Sequence, residues 1–506
     1  MSYAKVLSVG LIGLAGHLVE IEADLAAGLP GLTLTGLPDA ALSEARDRVR
    51  AALVNSGESW PNRRITVNLL PADIPKHGSA FDLAVAVSIL AGAGVLPLAP
   101  LHGVVLLGEL GLDGAVRPVR GVLPSVLATA RAGIRRVVVP LANAREAALV
   151  PGVTVRATDC LRRVVDFVRG GTPLLDPPAE PPVDGTAELD LLDVVGQELG
   201  RRGLEVAAAG GHHLSMVGPP GAGKTMLAQR LPSILPPLSD AAALEVTAVH
   251  SIAGVLPPES PMIRRPPFQA PHHTASVAAL VGGGSGLARP GAISLSHMGI
   301  LFLDEAPEFG SRALETLRQP LEDGYVVLSR ARGATQYPAR IQLVLAANPC
   351  PCARPAGDAH CECSALVRRR YLSRLSGPLM DRVDLQVPLT PVTAAQLTEE
   401  TVLAESSAVV AARVAQARGA ATERWADRGW STNARVPGPV LRRPPWRLPG
   451  TATAGLQKAL DAGSISARGF DRVLRVAWSI ADLDGRSSPD NGDVQEALAM
   501  RIGRTG

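Results

Sequence analysis

The chain has 506 residues, 46% hydrophobic and 19% charged, which is a folded protein with room for several cores and not a disordered one. Fifty basic against 47 acidic residues leave a net charge of +3, too little to argue for nucleic acid or membrane by itself. No apolar run reaches the roughly 18 residues that span a bilayer, and the opening MSYAKVLSVGLIGLAGHLVEIEAD carries no small-residue cleavage site, so export and membrane insertion are disfavoured and the cytoplasm is the expected compartment. Five cysteines, four of them between Cys350 and Cys363, do not make the even framework of a secreted disulfide scaffold. Only four lysines occur (Lys5, Lys76, Lys224, Lys458), so any lysine in a motif is informative.

In chain order, residues 1–170 read as a small α/β domain. VLSVGLIGLAG and HLVEIEADL are adjacent strands, DAALSEARDRVRAALVNSG an amphipathic helix, RRITVNLLP a strand and FDLAVAVSILAGAG an apolar helix. GVVLLGELGLDGAVRPV suggests a hairpin turning at Asp113-Gly114, where glycine supplies positive φ. PSVLATARAGI and RRVVVPLAN add a helix and a strand. Residues 171–190 hold five prolines from Pro173 to Pro182, which deny both helix and sheet, so they are expected to be a semi-rigid linker. Residues 191–390 form a second α/β domain that carries every strong motif. Residues 391–506 are mostly helical, broken by VPGPVLRRPPWRLPG. Neither internal repeats nor sustained heptads occur.

The strongest chemical signal is Gly218-Pro219-Pro220-Gly221-Ala222-Gly223-Lys224-Thr225, between the apolar strand HHLSMV and the helical MLAQRLPSIL. That context is what a phosphate-binding loop requires: the glycines let successive N–H groups point at phosphate oxygens, Lys224 charges the β/γ phosphates and the Thr225 hydroxyl can ligate Mg²⁺. Gly299-Ile-Leu-Phe-Leu-Asp304-Glu305 is a buried-strand run ending in two carboxylates, Asp304 for the Mg²⁺ shell and Glu305 to polarise the attacking water. Ile341-Gln-Leu-Val-Leu-Ala-Ala-Asn348 is a third strand, ending in an amide that can orient water or the γ-phosphate. ATP and Mg²⁺ are the implied ligands.

LFLDEAPEF, LRQPLEDG, AANPCPC and RLSGPLMDRVDL resemble the magnesium-chelatase-like AAA+ proteins of the ComM/YifB type, over nearly the whole chain. The resemblance implies a P-loop AAA+ module of the helix-2-insert kind with a helical lid, a hexameric ring with ATP at subunit boundaries, and a DNA motor that unwinds or branch-migrates recombination intermediates during natural transformation. PPFQAPHHTASVAALVGGG would be the insert and its approach, and GYVVLSRARGATQYPAR the hairpin before the Asn348 strand. Carried across, Asn348 matches the first sensor, Arg382 the arginine finger with Arg374 as rival, and Arg468 the second sensor on the lid. DNA, single-stranded or branched, would be contacted by Arg330, Arg332 and Arg340 flanking the hairpin, with Arg289 on another pore loop and Tyr325 and Tyr337 as the nearby aromatics for stacking.

Cys350-Pro-Cys352 and Cys361-Glu-Cys363 bring four thiols onto one loop, which suits tetrahedral Zn²⁺, with His360 as a substitute ligand and reduced thiols or a redox disulfide as the alternatives. A metal there would brace the Asn348 sensor without touching the chemistry. Cys160 is expected in the core. His272-His273 show no carboxylate at legible spacing and are read as structural. The first domain resembles the Lon-protease-like fold (ribosomal S5 domain 2-like) through Pro75-Lys-His-Gly-Ser79-Ala-Phe-Asp-Leu-Ala and Gly108-Glu-Leu-Gly-Leu-Asp-Gly-Ala-Val-Arg-Pro-Val. Ungapped matching puts Ala80 at the nucleophile and Leu123 at the lysine, so only an improvised Ser79–Lys76 dyad remains and peptidase activity is not expected. Two other functions compete with the motor: a chelatase-like remodeller of a protein partner for metal insertion, and an ATP-gated scaffold without translocation. Against the remodeller, chelatase motor subunits resemble only the middle and lid, and no D-x-S-x-S metal-adhesion motif occurs.

Overall fold

A computed structural model describes residues 3–36, 44–76, 78–179, 189–257, 261–284, 288–330, 333–354, 361–393 and 404–503. Its first part is built on the strands β1 (Tyr3–Ile12), β2 (Ala15–Ala26), β3 (Gly31–Thr35), β4 (Arg64–Leu70), β5 (Val104–Leu106), β8 (Arg136–Pro140) and β9 (Thr154–Thr158), in the sheet order β3-β4-β2-β1-β5-β8-β9. β1–β2 and β2–β4 are antiparallel and the other pairs parallel. The helices α1 (Ala45–Asn55), α2 (Asp82–Gly92), α3 (Val122–Arg131) and α4 (Leu161–Val168) flank it. The expected hairpin forms between β6 (Glu109–Leu110) and β7 (Val116–Arg117), with Gly114 at φ 84° in the turn.

Two differences from the sequence reading have simple causes. β9 and α4 lie beyond the expected elements, although Leu161, Val164, Val165 and Val168 have helical i, i+3, i+4, i+7 spacing and are all buried. The proline-rich segment also docks at its start: Leu175 exchanges both backbone hydrogen bonds with Ala157 of β9 (2.8 and 2.9 Å), since a proline-flanked residue can still close a bridge at a sheet edge.

The second sheet is parallel throughout, ordered β11-β14-β17-β10-β18, from β10 (Leu214–Val217), β11 (Phe268–Gln269), β14 (Ile300–Leu303), β17 (Gln342–Ala347) and β18 (Leu385–Pro388). Between them lie α5 (Glu198–Gly210), α6 (Lys224–Ile234), α7 (Asp240–Ala253), the small ribbon β12 (Gly282–Gly283) with β13 (Arg289–Pro290), the hairpin β15 (Tyr325–Arg330) with β16 (Gly333–Pro338), and α8 (Ala365–Leu372). Every residue of β14 and β17 is buried, as a parallel sheet covered on both faces demands. Alternation still governs which core each side chain joins. Ile300, Phe302, Val344 and Ala346 face one cluster, shared with the C-terminal helices, whereas Leu301, Leu303, Leu343 and Leu345 face the other. Each of these side chains larger than alanine contributes about 1.5–3 kcal/mol on burial.

The C-terminal part consists of α9 (Ser407–Arg424), α10 (Gly450–Asp461), α11 (Ala467–Leu483) and α12 (Asn491–Ile502). Ser406, Ser466 and Asp490 cap α9, α11 and α12 through their side-chain oxygens. Trp425, Trp446 and Trp478 pack tilted and edge-on against one another in their core. The two sheets are joined through α7: Ser251 and the Leu123 backbone N–H both bond the buried carboxylate of Glu146. No helix among the described residues is long and apolar enough to cross a membrane.

Candidate functional site

Parallel strands deliver the loops that follow them to one edge of the sheet. The loop after β10 curls from Gly218 to Gly223, which caps α6 with φ 83°, a conformation that favours glycine. At Gly218 a Cβ would come 2.7 Å from the Leu389 carbonyl oxygen, so only glycine passes there. Pro220 is half-buried and Ala222 lies in the core. Lys224 is buried, and its ammonium donates to Gly218 O (2.7 Å), Pro219 O (2.9 Å) and Asn348 Oδ1 (3.0 Å). Burial lowers its pKa, while Asp304 and Glu305 pull the other way.

The loops after β14 and β17 complete the group. Thr225 Oγ1 donates to Asp304 Oδ2 at 2.7 Å. These hydroxyl and carboxylate oxygens at the foot of the phosphate loop are hard donors of the kind Mg²⁺ takes, so the residues fit that ion. Glu305 stands in the left-handed region at φ 51°, its backbone N–H held by Asp304 Oδ1 (2.9 Å). Its carboxylate meets His273, with Nδ1 3.0 Å from Oε2. The His272 ring stacks on His273 at 4.1 Å and its Nδ1 bonds Thr274 Oγ1 at 2.8 Å. His273 thus lies against Glu305, with His272 packed behind it. The sequence offered only the adjacency of two histidines after a strand, because their carboxylate comes from a different strand end.

The two matched arginines lie elsewhere. Arg382 immediately precedes β18, at the opposite edge of the sheet from Lys224; it pairs with Glu322 and donates to Pro378 O at 2.6 Å. Arg468 joins it, 3.7 Å from Asp381, and both line one pocket of about 200 Å³ that contains no residue of the phosphate loop. Arg374 instead bonds Pro307 O (3.2 Å) and Glu308 (3.0 Å), just past Glu305.

The cysteine sulfurs converge. Cys350–Cys352, Cys350–Cys361 and Cys352–Cys361 are 3.0, 3.4 and 3.7 Å apart, and all four sulfurs lie within 4.8 Å of one another. A tetrahedron with Zn–S near 2.3 Å spaces its sulfurs about 3.8 Å apart, so this thiol set fits zinc. His360 lies outside the described residues, and Cys160 is half-buried at the N-terminus of α4 and not in the core.

Of the nucleic-acid candidates, Arg340 is half-buried and engaged by Glu245 at 2.6 Å, and Tyr337 is fully buried with its hydroxyl donating to Ala288 O at 2.6 Å, so Tyr337 offers no free face for stacking. Tyr337 points inward from the base of the hairpin, where the hydrophobic cluster claims the ring. Arg330 ends β15, Arg332 lies outside the described residues, and Arg289 is exposed on β13. In the first domain Lys76 donates to Pro71 O and Ser79 to Glu109, so the two do not form a dyad.

Comparison with known proteins covers the chain. The family described as "Magnesium chelatase, subunit ChlI" matches residues 190–397, "Subunit ChlI of Mg-chelatase" residues 21–143, and "Magnesium chelatase, subunit ChlI C-terminal" residues 404–501. The chain is 54% identical over 501 residues (99% of each chain) to an uncharacterized protein of Mycobacterium tuberculosis. It is 42% identical over 512 residues to the competence protein ComM of Haemophilus influenzae, covering 99% of this chain and 98% of that one. The first part is also similar to the Lon protease of Salinispora arenicola, 30% identical over 142 residues, 27% of this chain and 18% of that protein. The chelatase description reaching residues 21–143 removes the first domain as an argument against a chelatase-like role.

Proposed function

Because the chain belongs to the magnesium-chelatase-like proteins of the ComM/YifB type, we propose that it is an AAA+ ATPase that drives DNA remodelling, as a ring motor on single-stranded or branched recombination intermediates. The observation that carries the ATPase reading is the convergence of Lys224, Thr225, Asp304, Glu305 and Asn348 at one sheet edge. In this reading residues 191–390 are the AAA+ core, with the helix-2 insert around β12 and β13, and residues 391–506 the helical lid. Lys224 and the loop N–H groups hold the triphosphate, Glu305 takes a proton from the attacking water and Asn348 orients that water. Thr225 and Asp304 would hold Mg²⁺, which would supply positive charge at the β/γ phosphates. Arg382 and Arg468, at the far edge, serve the nucleotide of a neighbouring copy, which makes turnover depend on assembly, with a hexameric ring as the expected form. Zinc on the four cysteines braces the loop that begins beside Asn348.

The DNA half of the reading rests on the full-length likeness to a competence protein. Purified protein assayed for ATP hydrolysis with and without forked or three-stranded DNA tests it: stimulation supports the motor. Hydrolysis indifferent to DNA overturns it and favours remodelling of a protein partner, the reading that the chelatase descriptions support.

A further inference from the structure

The N-terminal edge of the parallel sheet, opposite Lys224, opens into a cleft of about 1060 Å³ between the sheet and the C-terminal helices. His213, Gly299 and Ile341, which precede β10, β14 and β17, form its floor. One wall is apolar, made by Leu235, Pro236, Pro237, Leu238 and Met298. The other carries arginines. Two of these are already neutralised, Arg472 by Asp384 (2.6 Å) and Arg340 by Glu245 (2.6 Å). Three are not: among the described residues, Arg418, Arg435 and Arg475 make no ion pair. Arg418 donates its Nε to Ala208 O at 2.8 Å and Arg475 its Nε to Val436 O at 2.7 Å, and both residues line the cleft with no bond from their terminal nitrogens among the described residues. Arg435 stands exposed at the mouth, with Glu322, Asp323 and Glu423 as the exposed acids lining the cleft, Glu322 being paired with Arg382.

Guanidiniums partly withdrawn from water without a directly paired acid are costly, and a bound anion would offset that cost; Asp384 and Asp471 act on Arg475, and Glu245 on Arg435, without closing an ion pair. Burial pushes the Arg418 guanidinium down to about 10 and also lowers Arg475, the cost expressed as protonation. Guanidinium forks pair with phosphate oxygens two at a time, and a proline-leucine wall of this kind accepts the flat face of a base.

We propose that this cleft is a second phosphate site, in which Arg418, Arg435 and Arg475 hold the phosphate groups of a nucleotide. The cleft shares Arg472 and Arg475 with the adjoining Arg382–Arg468 pocket, so its nucleotide has two sources: one free in solution, or one held by the phosphate loop of a neighbouring copy. The first source does not depend on the ATPase reading; the second does.

Calorimetry with ATP and with inorganic triphosphate on the full chain decides. If the nucleotide comes from solution, Lys224→Ala still binds about one equivalent, and adding Arg418→Gln with Arg475→Gln weakens that binding at least about tenfold. If it comes from a neighbour, Lys224→Ala alone abolishes binding, while Arg435→Gln in the otherwise intact chain weakens binding about threefold or more only at concentrations where copies assemble. Arg435 is exposed, so Arg435→Gln reports on the site even where Arg418→Gln unfolds. Binding within about twofold of the unchanged chain in Arg435→Gln and in every folded Arg418 and Arg475 variant, dilute and assembled, overturns the proposal.

Discussion

His273 Nδ1 lies 3.0 Å from Glu305 Oε2, although the two residues belong to different loops. The contact follows from strand order: β11 and β14 are parallel neighbours, with Phe268 opposite Ile300, so the segments leaving them emerge side by side. The carboxylate that the proposed function makes the acceptor of water's proton is here held by an imidazole.

Removing that imidazole should therefore alter chemistry more than binding. His273→Ala is expected to raise DNA-independent turnover about threefold to tenfold with nucleotide affinity unchanged, read as a kcat effect without a KM effect. An unaltered kcat would make the pairing incidental.

Lys224 and Glu305 should separate binding from hydrolysis. Lys224→Ala removes the charge at the loop and the bond to Asn348, and is expected to weaken nucleotide binding at the phosphate loop about a hundredfold. Glu305→Gln should keep binding and lose turnover about 10²–10⁴-fold, trapping ATP. Normal turnover of Glu305→Gln on forked DNA would remove Glu305 from the chemistry.

Arg382 and Arg468 occupy a pocket away from the phosphate loop, which predicts complementation in mixtures. Arg382→Ala and Lys224→Ala chains, each inactive, should regain activity on mixing, because about one quarter of randomly formed interfaces pair an intact loop with an intact finger. Mixtures as inactive as their parents would place the finger elsewhere, with Arg374 the next residue to test.

The four thiols predict about one zinc per chain as purified, measured by metal analysis. Cys350→Ser with Cys361→Ser should abolish it, and chelation should lower the melting midpoint by about 2–4 °C. Metal-free protein of unchanged activity and melting would leave these residues as ordinary reduced thiols.

Acid should destabilise the sheet edge through His213. Burial depresses its pKa to about 4, against the opposing pull of Asp384. Its Nδ1 accepts the Leu343 backbone N–H at 3.0 Å, which needs the neutral ring. The unfolded histidine binds its proton near pH 6.5, so the contribution is whole above that value and drains away down to about pH 4, amounting to about 3 kcal/mol. Burial alone would raise Asp384, but Arg472 and His212 overcome it and hold the carboxyl well below its usual range, so its contribution is lost only at still lower pH. His213→Asn, which keeps an acceptor, should flatten urea midpoints between pH 6.5 and 4; an unchanged slope would assign the acid sensitivity to other groups.

The sequence by itself determined the parts whose chemistry is short-range. A loop that bends around phosphate needs glycine where φ is positive, as at Gly223, and a strand covered on both faces needs an unbroken apolar run before its acid, as in Ile300–Leu303. C-x-C pairs fix their own sulfurs close together, so the thiol cluster was legible as well. Tertiary structure decided which ends meet. The order β11-β14-β17-β10-β18 brought His273 to Glu305, put Arg382 at the edge away from Lys224, and set His213 among the arginines of the cleft. It also took Tyr337 inward, away from any open face, and paired Arg340 with Glu245. The physical reason is that periodicity along a strand specifies which faces are buried, whereas the neighbours across the sheet are selected by the whole set of faces that must be covered at once.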